Sequence, residues 1–281
     1  MTTVLDDPDE IVAALRGTVL DGLPIEEGLG ETWVVTGIEP TQLLPAWRAA
    51  RAATPETGRW PVLTSVDEQW HDATREEIEA LDRAARTVDP WTVFRRRGTD
   101  DPRLGREDLH LWLPDGLGED FARRVARDVT LPATRLAVER RTWERLLGDP
   151  DAIERGWRRA ASLVGTRNWY TPVEGIQLVL LPTPTQWLAP AWLSYFGALR
   201  PQGTEGLAAA IRHWEQRWDA ELVASWGTML QFVVGRRPAL GEQAWQLARQ
   251  LLALGGSLDS GRWELALAVT RSDAWFLHDR P

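Results

Sequence analysis

Apolar residues recur along this chain in two patterns, which predict two kinds of secondary structure. Spacings of three and four residues predict amphipathic helices, as where Leu207, Ile211, Trp214 and Trp218 form one apolar stripe. On this basis we expect helices over residues 8–16, 45–53, 75–86, 117–128, 134–147, 150–163, 204–218 and 242–254.

Start and stop signals support several of these helices. Asp7-Pro8 and Asp149-Pro150 each place an N-cap residue before a proline at the first helical position. Thr74 and Glu77 have the spacing of a capping box, in which the two residues satisfy each other's backbone N–H groups. Gly255-Gly256 is expected to end the helix before it.

Short runs of apolar or alternating residues predict the strands. Ile176 to Leu181 is a nearly continuous apolar run, which is typical of an inner strand. Asp108 to Leu113 alternates, with His110 on the polar side, and is expected to be a strand as well. Residues 220–226 and 229–235 are so close in sequence that they predict an antiparallel hairpin. Further strands are expected at 31–37, 60–63 and 274–278, and 263–269 fits either a helix or a strand.

Helices and strands that alternate through a hairpin predict an α+β fold, with a mixed or antiparallel sheet flanked by amphipathic helices. A length of 281 residues suggests two units. Gly165 to Asn168 is the candidate boundary, which gives an acidic α+β region over 1–165 and a second α+β domain over 171–281. Residues 54–58 are expected to form a turn, and 87–108 mainly a loop.

Seventeen tryptophans add a specific expectation about the core. Burying one indole removes roughly 150–250 Å² from water, about 4–6 kcal/mol before entropy is subtracted. We therefore predict a Trp-rich core. With so many indoles some are expected to stay partly exposed, and exposed rings are common on binding faces.

Composition excludes several classes of function. The chain has no Cys and no Lys, which removes thiol nucleophiles, Cys-ligated zinc, Schiff bases and the phosphate lysine of a P-loop. A formal charge of −9 disfavours binding to nucleic acid. The apolar runs are too short to span a bilayer, so we expect a cytoplasmic protein that binds neither nucleic acid nor membrane.

Few residues suggest catalysis. The histidines His71, His110, His213 and His278 include no closely spaced pair, so we expect no metal site and no cofactor. His110 is a general-base candidate, although a surface histidine is the simpler interpretation. Ser225 lacks the glycine that a nucleophile elbow needs two residues earlier.

Two polar clusters have simple structural interpretations. Arg95 to Arg97 lie close to several acids, and a salt-bridged loop is favoured there over an anion site. The acids at 76–82 are expected to form a solvated helix surface.

One aromatic segment is not on an obvious stripe. Trp187, Trp192, Tyr195 and Phe196 lie in a stretch bounded by Pro and Gly. Core packing beneath a long loop explains them simply. Alternatively, they form a groove for an extended peptide or a small ligand, with Trp187 and Trp192 as anchors.

The last hundred residues resemble a known family. The matching positions are Leu181-Pro182, Trp187, Ala189-Pro190-Ala191, Tyr195-Phe196-Gly197, Pro201, Trp214, Trp218, Ala220 to Ala224, Arg237-Pro238, Ala244 and Trp275. In order and spacing they resemble the bacterial domain-of-unknown-function family numbered 4253, over about residues 171–281, with a looser likeness over 31–64. Members commonly have Asn and Cys before the proline, where this chain has Ser194 to Arg200. The resemblance implies a bacterial source and a fold, and it assigns no functional residue.

We therefore expect a non-catalytic protein that binds another protein, for example in an immunity or accessory role in bacteria. The alternatives are an enzyme that uses His110 or a carboxylate in a cleft between the two parts, and a small-ligand sensor. A deep cleft with convergent His and acids favours the enzyme, and a flat aromatic patch favours the binding protein.

Overall fold

The computed structural model describes residues 4–68, 70–94, 103–114, 116–161, 163, 175–258 and 260–280. The arginines Arg95 to Arg97 and the candidate boundary Gly165 to Asn168 lie outside these ranges. The helices are α1 Pro8–Leu15, α2 Leu43–Thr57, α3 Arg75–Thr87, α4 Pro90–Val93, α5 Glu119–Asp128, α6 Arg135–Leu147, α7 Pro150–Ala160, α8 Gly203–Trp218, α9 Glu242–Leu254 and α10 Arg262–Val269. The strands are β1 Ile25–Glu27, β2 Trp33–Val35, β3 Trp60–Ser65, β4 Ile176–Leu181, β5 Ala220–Ser225, β6 Met229–Val234 and β7 Ala274–His278.

The described strands form one mixed sheet in the order β1-β2-β4-β3-β5-β6-β7. β3 and β5 are parallel and meet at Leu63 and Ala224, whereas the other neighbouring pairs are antiparallel. The predicted α+β class is confirmed, as is the hairpin of β5 and β6. Because β4 lies between β2 and β3, the sheet combines strands from both sides of the predicted boundary.

Local sequence explains where several helices begin and end. Asp7 caps α1 by accepting a hydrogen bond from the backbone N–H of Asp9, and Thr74 and Glu77 form the predicted capping box of α3. The turn expected at 54–58 was wrong, because α2 continues through Pro55 to Thr57. It ends at Gly58, whose φ of 68° is a left-handed conformation that favours glycine.

The prediction of a strand at Asp108 to Leu113 is wrong. Leu109–Trp112 is a short 3₁₀ helix, closed by a hydrogen bond from the Leu111 N–H to the Asp108 carbonyl. Leu109 packs in a small separate cluster, whereas Leu111 is 64% exposed. Local hydrogen bonds therefore prevail over the alternating pattern. The 263–269 segment, for which two structures were open, is helix α10.

Tryptophans form much of the core, as predicted. The indole N–H groups of Trp47 and Trp60 donate to the carbonyls of Pro61 and Leu222, so these rings also join helix to strand and strand to strand. The buried tryptophans are Trp47, Trp60, Trp143, Trp192, Trp214, Trp218, Trp226, Trp245, Trp263 and Trp275. Half-buried ones are Trp33, Trp70, Trp91, Trp112, Trp157 and Trp187, in keeping with the expected partial exposure.

A buried guanidinium joins the sheet to the N-terminal segment. Arg59 is 1% exposed, and its side chain donates to the carbonyl oxygens of Leu5, Glu31 and Leu180 at 2.7, 2.7 and 3.3 Å. It also donates to the carboxylate of Asp6 at 2.9 Å, although that carboxylate is 82% exposed. Burial lowers the pKa of Arg59 and Asp6 opposes this, but an arginine keeps its charge in either case.

Replacing Arg59 by Met should lower the free energy of unfolding by about 3 kcal/mol, because three carbonyls lose a buried donor. Asp6→Asn is the matched control. It removes only the exposed ion pair and should cost about 0–1 kcal/mol. Urea unfolding of the two variants measures both values. Equal losses would mean that the ion pair, and not the carbonyl contacts, provides the stability.

Candidate functional site

A cleft opens where the chain after β3 meets the segment before α8. Its volume is about 450 Å³. One wall comes from the chain leading into α3 and from α3 itself, and the other from the 3₁₀ segment Gln186–Ala191 and the first turn of α8. Its lining residues are His71, Asp72, Glu77, Ala80, Leu81, Pro190, Ala191, Thr204 and Glu205.

A short backbone contact places a histidine beside a serine at this cleft. Trp70 forms an isolated antiparallel bridge with Leu193, and the His71 N–H donates to the Trp192 carbonyl at 3.0 Å. This pairing brings His71 Nε2 to 2.7 Å from Ser194 Oγ. Since the two residues are 123 positions apart in the chain, the fold alone brings them together.

The cleft is negatively charged. Its lining contains three carboxylates and no arginine. The carboxylate of Glu77 accepts hydrogen bonds from the backbone N–H and the hydroxyl of Thr74, which lower the pKa of Glu77 and keep it ionised. Within the described part of the chain, Asp72 and Glu205 form neither an ion pair nor a side-chain hydrogen bond.

Trp187 supports one wall of the cleft. It is half-buried, and its indole N–H donates to Asp82 Oδ1 of α3 at 3.0 Å. The guanidinium groups of Arg86 and Arg212 lie 5.6 and 5.8 Å from its ring centre. These distances allow cation–π contacts, so Trp187 connects α3, α8 and the 3₁₀ segment.

The other aromatic residues of the predicted site lie mainly behind the cleft. Trp192 and Tyr195 are 1% and 2% exposed and belong to the main core, which was the simpler of the two interpretations. The Trp192 indole donates to the Gly30 carbonyl, and the Tyr195 hydroxyl donates to the Leu254 carbonyl. Burial raises the pKa of Tyr195. Phe196 is half-buried, so the binding role of Trp187 and Phe196 stays a prediction.

Two other candidates from the sequence, His110 and Ser225, do not line this cleft. His110 lies on the 3₁₀ helix Leu109–Trp112, where its Nδ1 contacts the Glu107 carbonyl at 2.6 Å. Ser225 is 2% exposed and has a long hydrogen bond to the Ser194 carbonyl. Over the described ranges, no group of three His, Asp or Glu side chains is close enough to hold a metal. In that same part of the chain, no helix has the length and apolar character needed to cross a bilayer.

Comparison with known proteins identifies a family for part of the chain. Residues 177–279 match the model of a family described as Domain of unknown function (DUF4253). The C-terminal region is therefore a domain of this family, as its sequence resemblance indicated. No curated protein and no solved structure matches the chain. The matched region includes Ser194 and Glu205, whereas His71 and Asp72 come from the chain before it.

Replacing Trp192 by Ala should lower the free energy of unfolding by about 3–5 kcal/mol, because a large buried ring is lost. Trp192→Phe keeps most of the ring but removes the hydrogen bond to Gly30, and should cost about 1–2 kcal/mol. Urea unfolding of the two variants checks this order. A melting temperature that Trp192→Ala leaves unchanged would favour a binding role for this ring over a core role.

Proposed function

We propose that this protein is a non-catalytic binding protein whose acidic cleft accepts a basic segment of a partner protein. The observation that carries the proposal is the pair of carboxylates, Asp72 and Glu205, that line the two walls and form no ion pair with any described residue. A positively charged side chain between them would gain attraction from both and from Glu77.

Carboxylates elsewhere in the chain differ from those of the cleft. Many described carboxylates form an ion pair with an arginine, as Asp82 does with Arg86 and the buried Glu139 with Arg262. A volume of about 450 Å³ also lies in the usual range for ligand sites, roughly 300–1,000 Å³, and is large enough for a basic side chain. The net charge of −9 favours encounter with a basic partner.

An immunity or accessory role in the bacterial cytoplasm is the biological form of this proposal. Such proteins act by covering a surface of another protein, and they need no reactive centre. The absence of Cys from the sequence is compatible with a reducing compartment.

Binding of a hexa-arginine peptide, measured by titration calorimetry at low salt, tests the cleft. Asp72→Asn and Glu205→Gln should each weaken binding about tenfold, which is about 1.4 kcal/mol. Glu10→Gln is the matched control, because Glu10 also lies in the first turn of a helix but does not line the cleft. It should leave the affinity unchanged.

Salt provides a second readout of the same interaction. Added salt should weaken the binding of the peptide, as the loss of a carboxylate does, because exposed charges are screened beyond about 10 Å at 0.1 M salt. Equal binding by wild type, Asp72→Asn and Glu10→Gln would show that the peptide responds to overall charge. That result would reject the cleft as the site.

The second candidate function is hydrolytic, and the contact between His71 Nε2 and Ser194 Oγ favours it. A histidine that accepts the serine proton would turn Ser194 into a nucleophile. However, within the described ranges no carboxylate accepts a hydrogen bond from His71 Nδ1, so the group that orients the histidine in a catalytic triad is missing. This function is therefore placed second.

A fluorophosphonate probe tests the second candidate. Ser194 Oγ would attack phosphorus, fluoride would leave, and the serine proton would pass to His71 Nε2. Intact-protein mass spectrometry should then find one added phosphonyl group on Ser194, none on Ser194→Ala, and at least about tenfold slower labelling of His71→Gln. Absence of labelling in the folded wild type would exclude Ser194 as an activated nucleophile.

A further inference from the structure

A second pocket, of opposite character, lies at the other end of α8. It measures about 460 Å³ and is lined by Gln216, Arg217, Trp218, Arg236, Arg237 and Gln243. With sixteen residues, α8 is about 24 Å long, so this pocket is well separated from the acidic cleft. We infer that it binds a phosphate-type oxyanion, either free phosphate or the phosphate of a small phosphomonoester.

The pocket has an excess of cations. Arg236 is committed to the fold, because it pairs with Asp219 and donates to the Gln216 carbonyl at the end of α8. By contrast, Arg217 and Arg237 form no ion pair or hydrogen bond in the described part of the chain. Arg217 lies over the Trp218 ring, 5.4 Å from its centre. Two guanidinium groups are thus left to bind an anion.

The neutral side chain of Gln243 adds a hydrogen-bond donor beside these arginines. Its oxygen already accepts from the Ala239 N–H, which leaves its NH₂ group as a donor. Trp218 is only 7% exposed and its indole N–H is buried, so this ring contributes an apolar wall rather than a donor to the open pocket.

The set of donors selects the class of ligand. Guanidinium groups bind the oxygens of phosphate in a fork, and a phosphate has enough oxygens for two arginines and the Gln243 NH₂ group together. The volume exceeds that of inorganic phosphate, which leaves space for a small organic group. The site differs from the acidic cleft in position and in ligand charge, so it does not depend on the function proposed above.

Calorimetry in a zwitterionic buffer measures the binding of inorganic phosphate and of glycerol phosphate to the protein. Sodium chloride at equal ionic strength is the blank. Arg237→Gln and Arg217→Gln should each weaken the binding of phosphate about tenfold or more, as expected for a charged hydrogen bond. Arg16→Gln is the control, because Arg16 is also exposed and its side chain forms no ion pair or hydrogen bond in the described chain. Tighter binding of glycerol phosphate would identify a phosphomonoester as the source of the anion.

Thermal melting separates ligand binding from folding. Without phosphate, Arg217→Gln and Arg237→Gln should melt at the same temperature as wild type, because neither guanidinium forms an ion pair or hydrogen bond in the described chain. The phosphate-induced rise in melting temperature should become smaller than in wild type. The inference is overturned if wild type binds no phosphate, or if Arg217→Gln and Arg237→Gln both bind it as tightly as Arg16→Gln does.

Discussion

The buried guanidinium of Arg59 is the contact on which the arrangement of the sheet depends. It reaches backbone carbonyls before α1, before β2 and within β4, so three separate parts of the chain meet at one side chain. The strand β4, which provides one of these carbonyls, lies between β2 and β3, both of which come from the N-terminal region. The family domain that begins at residue 177 therefore has its first strand covered on both edges by the chain before it. The N-terminal region and the family domain each provide one wall of the acidic cleft.

Sequence predicted the parts of the fold that local forces determine. The capping box at Thr74 and the apolar run of β4 need only near neighbours and burial, and both are confirmed. The prediction failed at Asp108 to Leu113, because the alternating pattern pairs with no strand among the described residues and local turns replace it. Neither the strand order nor the contact of His71 with Ser194 leaves a signal in one sequence, since each joins residues far apart in the chain.

The tryptophans of the aromatic segment at 187–196 have a structural role beside the cleft. Rings such as Trp187 and Trp192 lie behind or beside the cleft, where indole N–H groups bind Asp82 and the Gly30 carbonyl. An indole can fill space and donate one directed hydrogen bond, so it fixes the spacing between elements. The aromatic positions thus determine the shape of the cleft walls, whereas polar residues contributed by both regions give the cleft its charge.

The two ends of α8 carry charges that the helix itself favours. Glu205 lies at the positive N-terminal end and Arg217 at the negative C-terminal end. Each therefore stabilises the helix through its dipole, whether or not a ligand binds. Asp72 and Arg237 lie outside the helix and have no ion pair in the described chain. Neither the helix dipole nor an ion pair therefore accounts for their charges. These two side chains, more than the helix residues beside them, therefore distinguish ligand sites from ordinary helix stabilisation.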